Sequence, residues 1–268
     1  MKFGQHFLVD PEVLYAMVQL TERFGSRDTI VEIGPGKGVL TEQLVHLAKR
    51  VIAIEIDTTF APELKKLQHE FSHLEVVYAD ALQVDLAALG LQSGKYSVSA
   101  NLPYEITSPI LRRFLTQAPF PKHLALLIQK EVAERITAKP GQLSILGLSV
   151  QAFARARLVR EVPPEAFQPK PKVDSAIVSL DQIHLHNPFS SADDEKRFFR
   201  IVKAGFAQKR KFLMKNLKNI NKNGQQSIPT AALEAAFQEQ HINKTARAQE
   251  LSLNDWLSLV DKIEKFIV

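Results

Sequence analysis

Short β-branched runs alternate with helical patterns along the first two thirds of the chain. Residues 11 to 24 read as an amphipathic helix, with Asp10 as its N-cap and Pro11 at the first helical position. Thr29 to Ile33, Val51 to Ile56, Leu74 to Tyr78 and Tyr96 to Ala100 read as strands, and helices are expected over Leu40 to Ala48 and Ala61 to Phe71. Leu124 to Ile128 continues the series as a strand feeding a helix from about Lys130. Leu143 to Phe153 reads as an apolar helix, and Ala154 to Val162 and Ala176 to Leu180 as strands. The stretch Phe167 to Ser175 is a proline-stiffened loop between the last two. Such alternation predicts an α/β fold, a mostly parallel twisted sheet with helices on both faces. His184 to Asp194 has loop composition and the pattern beyond it is helical, so the expected domains are 1–183 and a small all-α domain, 184–268.

In open α/β sheets ligands bind outside the carboxyl ends of the strands. The residues just past the first four strands are the turn at Gly34, then Glu55, Asp80 and Asn101. Four polar strand ends should therefore meet in one crevice.

The turn Glu32-Ile33-Gly34-Pro35-Gly36-Lys37-Gly38 follows a strand and opens a helix. A dinucleotide fingerprint would need glycine at position 39, which is Val39, and the phosphate-binding Gly-x-x-x-x-Gly-Lys-Ser/Thr pattern is absent. The Glu-x-Gly-x-Gly-x-Gly form instead resembles motif I of S-adenosylmethionine-dependent methyltransferases. Glu55 stands at the end of the second strand, where an acidic residue can hold both ribose hydroxyls. Asp80 can accept from an adenine amine, or simply be a helix N-cap.

Asn101-Leu102-Pro103-Tyr104 places an amide oxygen, a backbone carbonyl and a phenol close together. Pro103 keeps Leu102 extended, so the Asn101 amide oxygen and the Leu102 carbonyl can accept both protons of an exocyclic amine. Tyr104 would lie against the base, with Phe167 on its other face. Core packing is the rival reading of Phe167.

Composition narrows the classes. The chain has 268 residues, eight histidines and no cysteine, so no thiolate site is expected, and no structural metal is expected either. No apolar run approaches the roughly 18 residues of a membrane span, and no signal-peptide pattern is present, so a cytoplasmic protein without a membrane role is expected. Net charge is +5. Between Lys196 and Lys222 ten residues are Lys or Arg and none is Asp or Glu, which favours a polyanion track. Arg200, Lys203, Lys209, Arg210, Lys211, Lys215 and Lys218 are the candidate RNA contacts. Lys211, Lys215, Lys218 and Lys222 would form one stripe if the stretch is a continuous helix.

Taken together, these motifs resemble the ribosomal RNA adenine dimethyltransferases, in particular the small-subunit, KsgA-type branch. The resemblance spans Phe3 to Leu8, Val31 to Gly36, Asp80-Ala81-Leu82, Asn101 to Tyr104, Gln129 to Val132, the Phe167 to Ser175 loop and Phe206 to Lys211. It implies a Rossmann-like class I methyltransferase that uses S-adenosylmethionine, releases S-adenosylhomocysteine and dimethylates two adjacent adenosines near the 3′ end of small-subunit rRNA. It places cofactor contacts on His6, Leu8, Gly34, Gly36, Glu55, Asp80, Ala81 and Asn101, and catalysis on Asn101 to Tyr104 with Phe167. The implied partner is the small ribosomal subunit and its rRNA; a monomer is the default expectation for the free protein. A large-subunit methylase that confers macrolide resistance, a non-catalytic assembly factor and a DNA adenine methylase are the alternatives.

Overall fold

Asp10 caps the first helix through its side chain, which accepts from the backbone N–H groups of Glu12 at 2.8 Å and Val13 at 3.3 Å. The structure is a computed structural model that describes residues 6–24, 27–185, 187–218, 220 and 228–266. In chain order the elements are β1 (Phe7–Leu8), α1 (Pro11–Phe24), β2 (Thr29–Ile33), α2 (Thr41–Leu44), β3 (Arg50–Glu55), α3 (Ala61–Glu70), β4 (Leu74–Tyr78) and β5 (Tyr96–Asn101). They continue with α4 (Thr107–Thr116), β6 (His123–Gln129), α5 (Lys130–Ile136), α6 (Ile145–Gln151), β7 (Arg155–Val162), β8 (Phe167–Gln168) and β9 (Ser175–Asp181). The last helices are α7 (Ala192–Gly205), α8 (Leu213–Lys218), α9 (Thr230–Glu239) and α10 (Leu253–Ile263).

Seven strands form one sheet in the order β4-β3-β2-β5-β6-β9-β7. The first five are mutually parallel, whereas β9 runs antiparallel to both β6 and β7. The sheet is thus mostly parallel, and its order reverses between β2 and β5, the topological position at which such sheets bind ligands. Its inner strands are buried on both faces. Val51 to Ile54 and Leu124 to Ile128 show almost no exposure, which is why they read as unbroken apolar runs.

The chain folds into two compact units, Met1–Glu134 with Phe153–His186, and Arg135–Ala152 with Asn187–Val268. The sequence reading keeps residues 143–153 in the first domain. In the structure α6 belongs to the second unit, where Leu143 and Leu148 join a core of Phe198, Ile201, Leu217, Phe237 and Trp256. An apolar helix shows in its sequence that it must be covered, but not which core covers it.

Three helical expectations also change. The helix expected over 40–48 is a single turn, Thr41–Leu44, followed by further turns. The apolar helix expected over 143–153 is shorter, beginning after Ser144, whose hydroxyl accepts from the Gly147 N–H. The continuous helix needed for a lysine stripe is absent, since α7 ends at Gly205 and α8 begins only at Leu213. Lys222 lies outside the described residues.

Gly205 ends α7 against the indole of Trp256. A Cβ there would stand 2.4 Å from Trp256 Cη2 and 2.8 Å from Leu213 Cδ1, and both side chains are fully buried. Gly205→Ala should therefore cost about 1–3 kcal/mol through overpacking. Urea denaturation of the two proteins checks this, with a lowered midpoint expected at unchanged slope.

Candidate active site

The carboxyl ends of β2, β3, β4 and β5 open into one pocket in the first unit. All the positions named from the sequence as cofactor-binding or catalytic line it, including His6, Leu8 and Phe167 from outside the four strands. The last three arrive through a pairing that the sequence does not announce. Strand β1 runs antiparallel to β8, with Phe7 opposite Gln168 and Leu8 opposite Phe167.

At the glycine turn, Gly36 adopts φ +55° and donates its N–H to Glu55 Oε2 at 3.0 Å. A Cβ at Gly36 would also stand 3.2 Å from the Phe7 ring, so both the backbone conformation and the close approach require glycine. Glu55 Oε1 accepts from the Asp57 N–H at 2.8 Å. Its carboxylate, 2% exposed, is thereby fixed at the tip of β3. At Gly34 a Cβ would meet no protein atom within 4 Å, so bare backbone faces open space beside Glu55. An acidic group at the strand tip beside exposed turn backbone fits the ribose and amino-acid parts of a nucleoside cofactor.

Asp80 uses Oδ1 to accept from the Leu82 N–H and Oδ2 to accept from Gln83 Nε2, both at 2.8 Å. No helix follows, so Asp80 is not the helix N-cap weighed from the sequence; it closes a turn at residues 81–83 in addition to its place on the pocket wall. Arg113 of α4 fastens the same loop: its guanidinium donates to the Leu82 carbonyl at 2.6 Å and to the Val84 carbonyl. Sequence reasoning assigned no helix to this stretch and missed Arg113. The signal was present, because Ile110, Leu111, Phe114 and Leu115 fall on one helical face and Pro109 sits in the first turn, where proline is tolerated.

The Asn101 amide nitrogen donates to the His6 carbonyl at 3.1 Å. Because a carbonyl can only accept, this bond fixes which end of the amide is nitrogen and leaves Oδ1 for other donors. Leu102 donates its N–H to the Leu127 carbonyl at 3.0 Å, while its own carbonyl meets no donor among the described residues. His6 Nδ1 donates to the Pro169 carbonyl at 2.7 Å, and its ring centroid lies 5.8 Å from that of Tyr104. The Tyr104 hydroxyl pairs with Ser175 Oγ at 2.7 Å. Burial raises the phenol pKa, so Tyr104 stays neutral. Ser175 is a second residue that sequence reasoning missed. Phe167 is 3% exposed and packs with Leu8, Val13 and Ile177, so it is a wall of the pocket as well as a core side chain.

Glu32, 2% exposed, also lines the pocket, and its Oε2 accepts from Thr41 Oγ1 at 2.6 Å. Burial pushes its pKa up to about 8.

A model of the ribosomal RNA adenine dimethylase family matches residues 1–265. The chain belongs to this family. Members similar to it include a protein of Clostridium botulinum (strain ATCC 19397 / Type A) named ribosomal RNA small subunit methyltransferase A. That relative is 37% identical over 265 residues, covering 97% of this chain and 92% of the relative. A Bacillus licheniformis protein of the same name is 36% identical over 274 residues, covering 99% and 91%. Among solved structures, a dimethyladenosine transferase from Plasmodium falciparum superposes with TM-score 0.79 at 28% identity, covering 97% of this chain and 98% of that one. The 23S rRNA methyltransferase ErmE superposes with TM-score 0.76 at 26% identity, covering 96% and 99%.

In this family member the second unit carries the basic residues named from the sequence. Arg200 and Lys203 are exposed on α7, Lys209, Arg210 and Lys211 on the segment between α7 and α8, and Lys215 on α8, whereas Lys218 is half-buried. Lys196 and Arg197 are neutralised by Asp193 and Asp194, one helical turn before them, and Arg197 also by Glu264. Asn216 holds the intervening segment, donating Nδ2 to the Gly205 carbonyl at 2.5 Å and to the Gln208 carbonyl at 3.2 Å. Phe212, 46% exposed, adds an aromatic face directly after Lys211. Among the described residues no helix is long and apolar enough to cross a membrane, and no group of three or more His, Asp or Glu could hold a metal.

Arg113→Met should release the loop at Asp80 while keeping the helix. Loss of two charge-assisted bonds to part-buried carbonyls should speed amide exchange at Leu82 and Val84 by about 10- to 100-fold. Hydrogen exchange followed by NMR reads this directly.

Proposed function

We propose that the protein is a cytoplasmic, S-adenosylmethionine-dependent enzyme that dimethylates the exocyclic amines of two adjacent adenosines near the 3′ end of small-subunit rRNA. The observation that carries this reading is the Asn101 turn. With its nitrogen committed to the His6 carbonyl, Asn101 offers Oδ1, and Leu102 beside it offers a carbonyl with no donor among the described residues. Two neighbouring acceptors and no donor suit an amine with two protons.

An adenine amine is a weak nucleophile because its lone pair is delocalised into the ring. Holding both protons with Asn101 and Leu102 favours a more tetrahedral nitrogen and directs the lone pair into the pocket. The bound cofactor supplies an electrophilic methyl group on sulfur. Glu55, Asp80 and the backbone at Gly34 and Gly36 hold that cofactor, and Tyr104, fixed by Ser175, supports the base. Rate enhancement then comes from positioning and preorganised dipoles, with no covalent enzyme intermediate. After one transfer the monomethylated amine retains one proton, and rotation about its C–N bond re-presents the lone pair for the second.

The choice of small-subunit rRNA rests on the names of the relatives near 37% identity, whereas the large-subunit methylase structure stands at 26%. The exposed segment Lys209-Arg210-Lys211-Phe212 combines cations with an aromatic ring, a combination that suits RNA phosphates and an unstacked base.

Asn101→Ala should lower methyl transfer to unmethylated small subunits by about 10²–10³-fold while weakening cofactor binding no more than about tenfold. Mass spectrometry of digested rRNA, beside calorimetry with S-adenosylmethionine, measures both. Wild-type protein that binds the cofactor and yields no dimethyladenosine would overturn the proposal. Replacing Lys209, Arg210 and Lys211 together by Ala should weaken small-subunit binding and reduce the slope of log K against log[salt] by about 2–3. Filter binding across a salt series checks this.

A further inference from the structure

Glu32 is a carboxyl group in the wall of the cofactor pocket, and among the described residues no cation pairs with it. Its only hydrogen bond among the described residues comes from Thr41 Oγ1, and no Lys, Arg or His forms an ion pair with it. The elements packed around it offer no compensation. On β3 stands Glu55, a second carboxylate that opposes ionisation of the first. On the glycine turn Lys37 directs its ammonium to the Phe7 ring, 5.0 Å from the centroid. On α2 the only ionisable residue is Glu42, which is exposed, and the facing strand β5 presents the hydroxyl of Ser99. Around the rim the remaining titratable groups are His6, Tyr104, Asp80 and Glu105.

A buried carboxyl in such a setting is neutral until something positive enters beside it. The methyl donor of the proposed reaction does bring positive charge. It is a sulfonium with an ammonium and a carboxylate, net +1, and after transfer it is a neutral thioether with the same ammonium and carboxylate. We infer, resting on the cofactor reading above, that Glu32 reads the charge on the bound cofactor, being ionised against the sulfonium and protonated against the thioether. The charges balance at each stage. Donor binding releases one proton from Glu32 to solvent. Transfer breaks the C–S bond with its electron pair left on sulfur and forms the N–C bond, and the alkylated amine gives up its own proton to water. Glu32 is then an anion facing a neutral product, and it takes a proton back. The cost of keeping Glu32 ionised beside the thioether falls on the product complex and favours release of product over donor.

The burial that pushes the Glu32 pKa up to about 8 places this exchange near neutral pH. Donor binding strengthens as pH rises through that value, because the proton no longer has to be expelled. Product binding does not.

The test is isothermal titration calorimetry of the full chain with S-adenosylmethionine and with S-adenosylhomocysteine, in buffers of different ionisation enthalpy. Near pH 7 the wild type should release about half to one proton more on binding the donor than on binding the product. Its preference for donor over product should grow about tenfold between about pH 6 and about pH 9. In Glu32→Gln the extra proton should disappear and the pH dependence should shrink to that of the ligands themselves. Equal proton counts in wild type and Glu32→Gln overturn the inference while the cofactor reading stands. Binding of neither ligand overturns the cofactor reading itself. If Glu32→Gln does not fold, the wild-type pH series decides alone, and a donor preference independent of pH rejects the inference.

Discussion

A carbonyl can only accept, and that constraint on His6 organises the pocket. The bond from Asn101 Nδ2 to the His6 carbonyl ties residues 95 positions apart and orients the amide whose oxygen faces the ligand space. It holds only because β1 pairs with β8 and carries the N-terminal segment across the strand ends. The same pairing seats Leu8 opposite Phe167 in the core and brings Phe7 against Gly36. The ring of His6 is in turn fixed through Nδ1 to the Pro169 carbonyl, next after β8. The N-terminal strand thus helps shape both the cofactor side and the base side of the site.

Electrostatically the pocket is acidic although the chain as a whole is basic. Glu32, Glu55 and Asp80 stand on its wall, and two of the three are at most 2% exposed. Each meets the problem of burial differently. Glu55 accepts two backbone N–H bonds, Asp80 accepts one backbone and one side-chain donor, and Glu32 accepts a single hydroxyl. Backbone donors stabilise a carboxylate without bringing net charge, so a ligand cation still sees the full anion. Glu32, the least supported, is the one whose protonation a ligand can change.

Much of this was legible in the sequence because local physics repeats it. The helix from Pro11 announced itself through Asp10, the inner strands through unbroken apolar runs, and the strand-end residues through the rule that such sheets bind at their carboxyl edges. What stayed hidden depends on contacts distant in sequence. Two-residue strands such as β1 and β8 carry no periodicity, and Ser175 and Arg113 matter for the hydroxyl and the loop they reach, not for any motif around them. Helix α6 showed an apolar pattern in the sequence, but its core lies in the second unit. The lysine spacing from Lys211 onward suggested a helical stripe because Lys and Leu favour helices. Gly205 against Trp256 ends α7 first, and buried Asn216 holds the following segment by its carbonyls.

That break changes how the basic surface works. On a continuous helix, lysines three or four positions apart would present a straight row of flexible point charges. Here Lys209, Arg210 and Lys211 are exposed on a short segment whose backbone is held at Gly205 and Gln208, with Phe212 exposed beside them. A held segment loses less conformational freedom on binding than a free one, so more of each phosphate contact survives as net affinity. Lys196 and Arg197, equally prominent in the sequence, are already matched by Asp193, Asp194 and Glu264. The charge run therefore divides into a neutralised helical start and an exposed, held segment, and the second part is the surface that a polyanion can use.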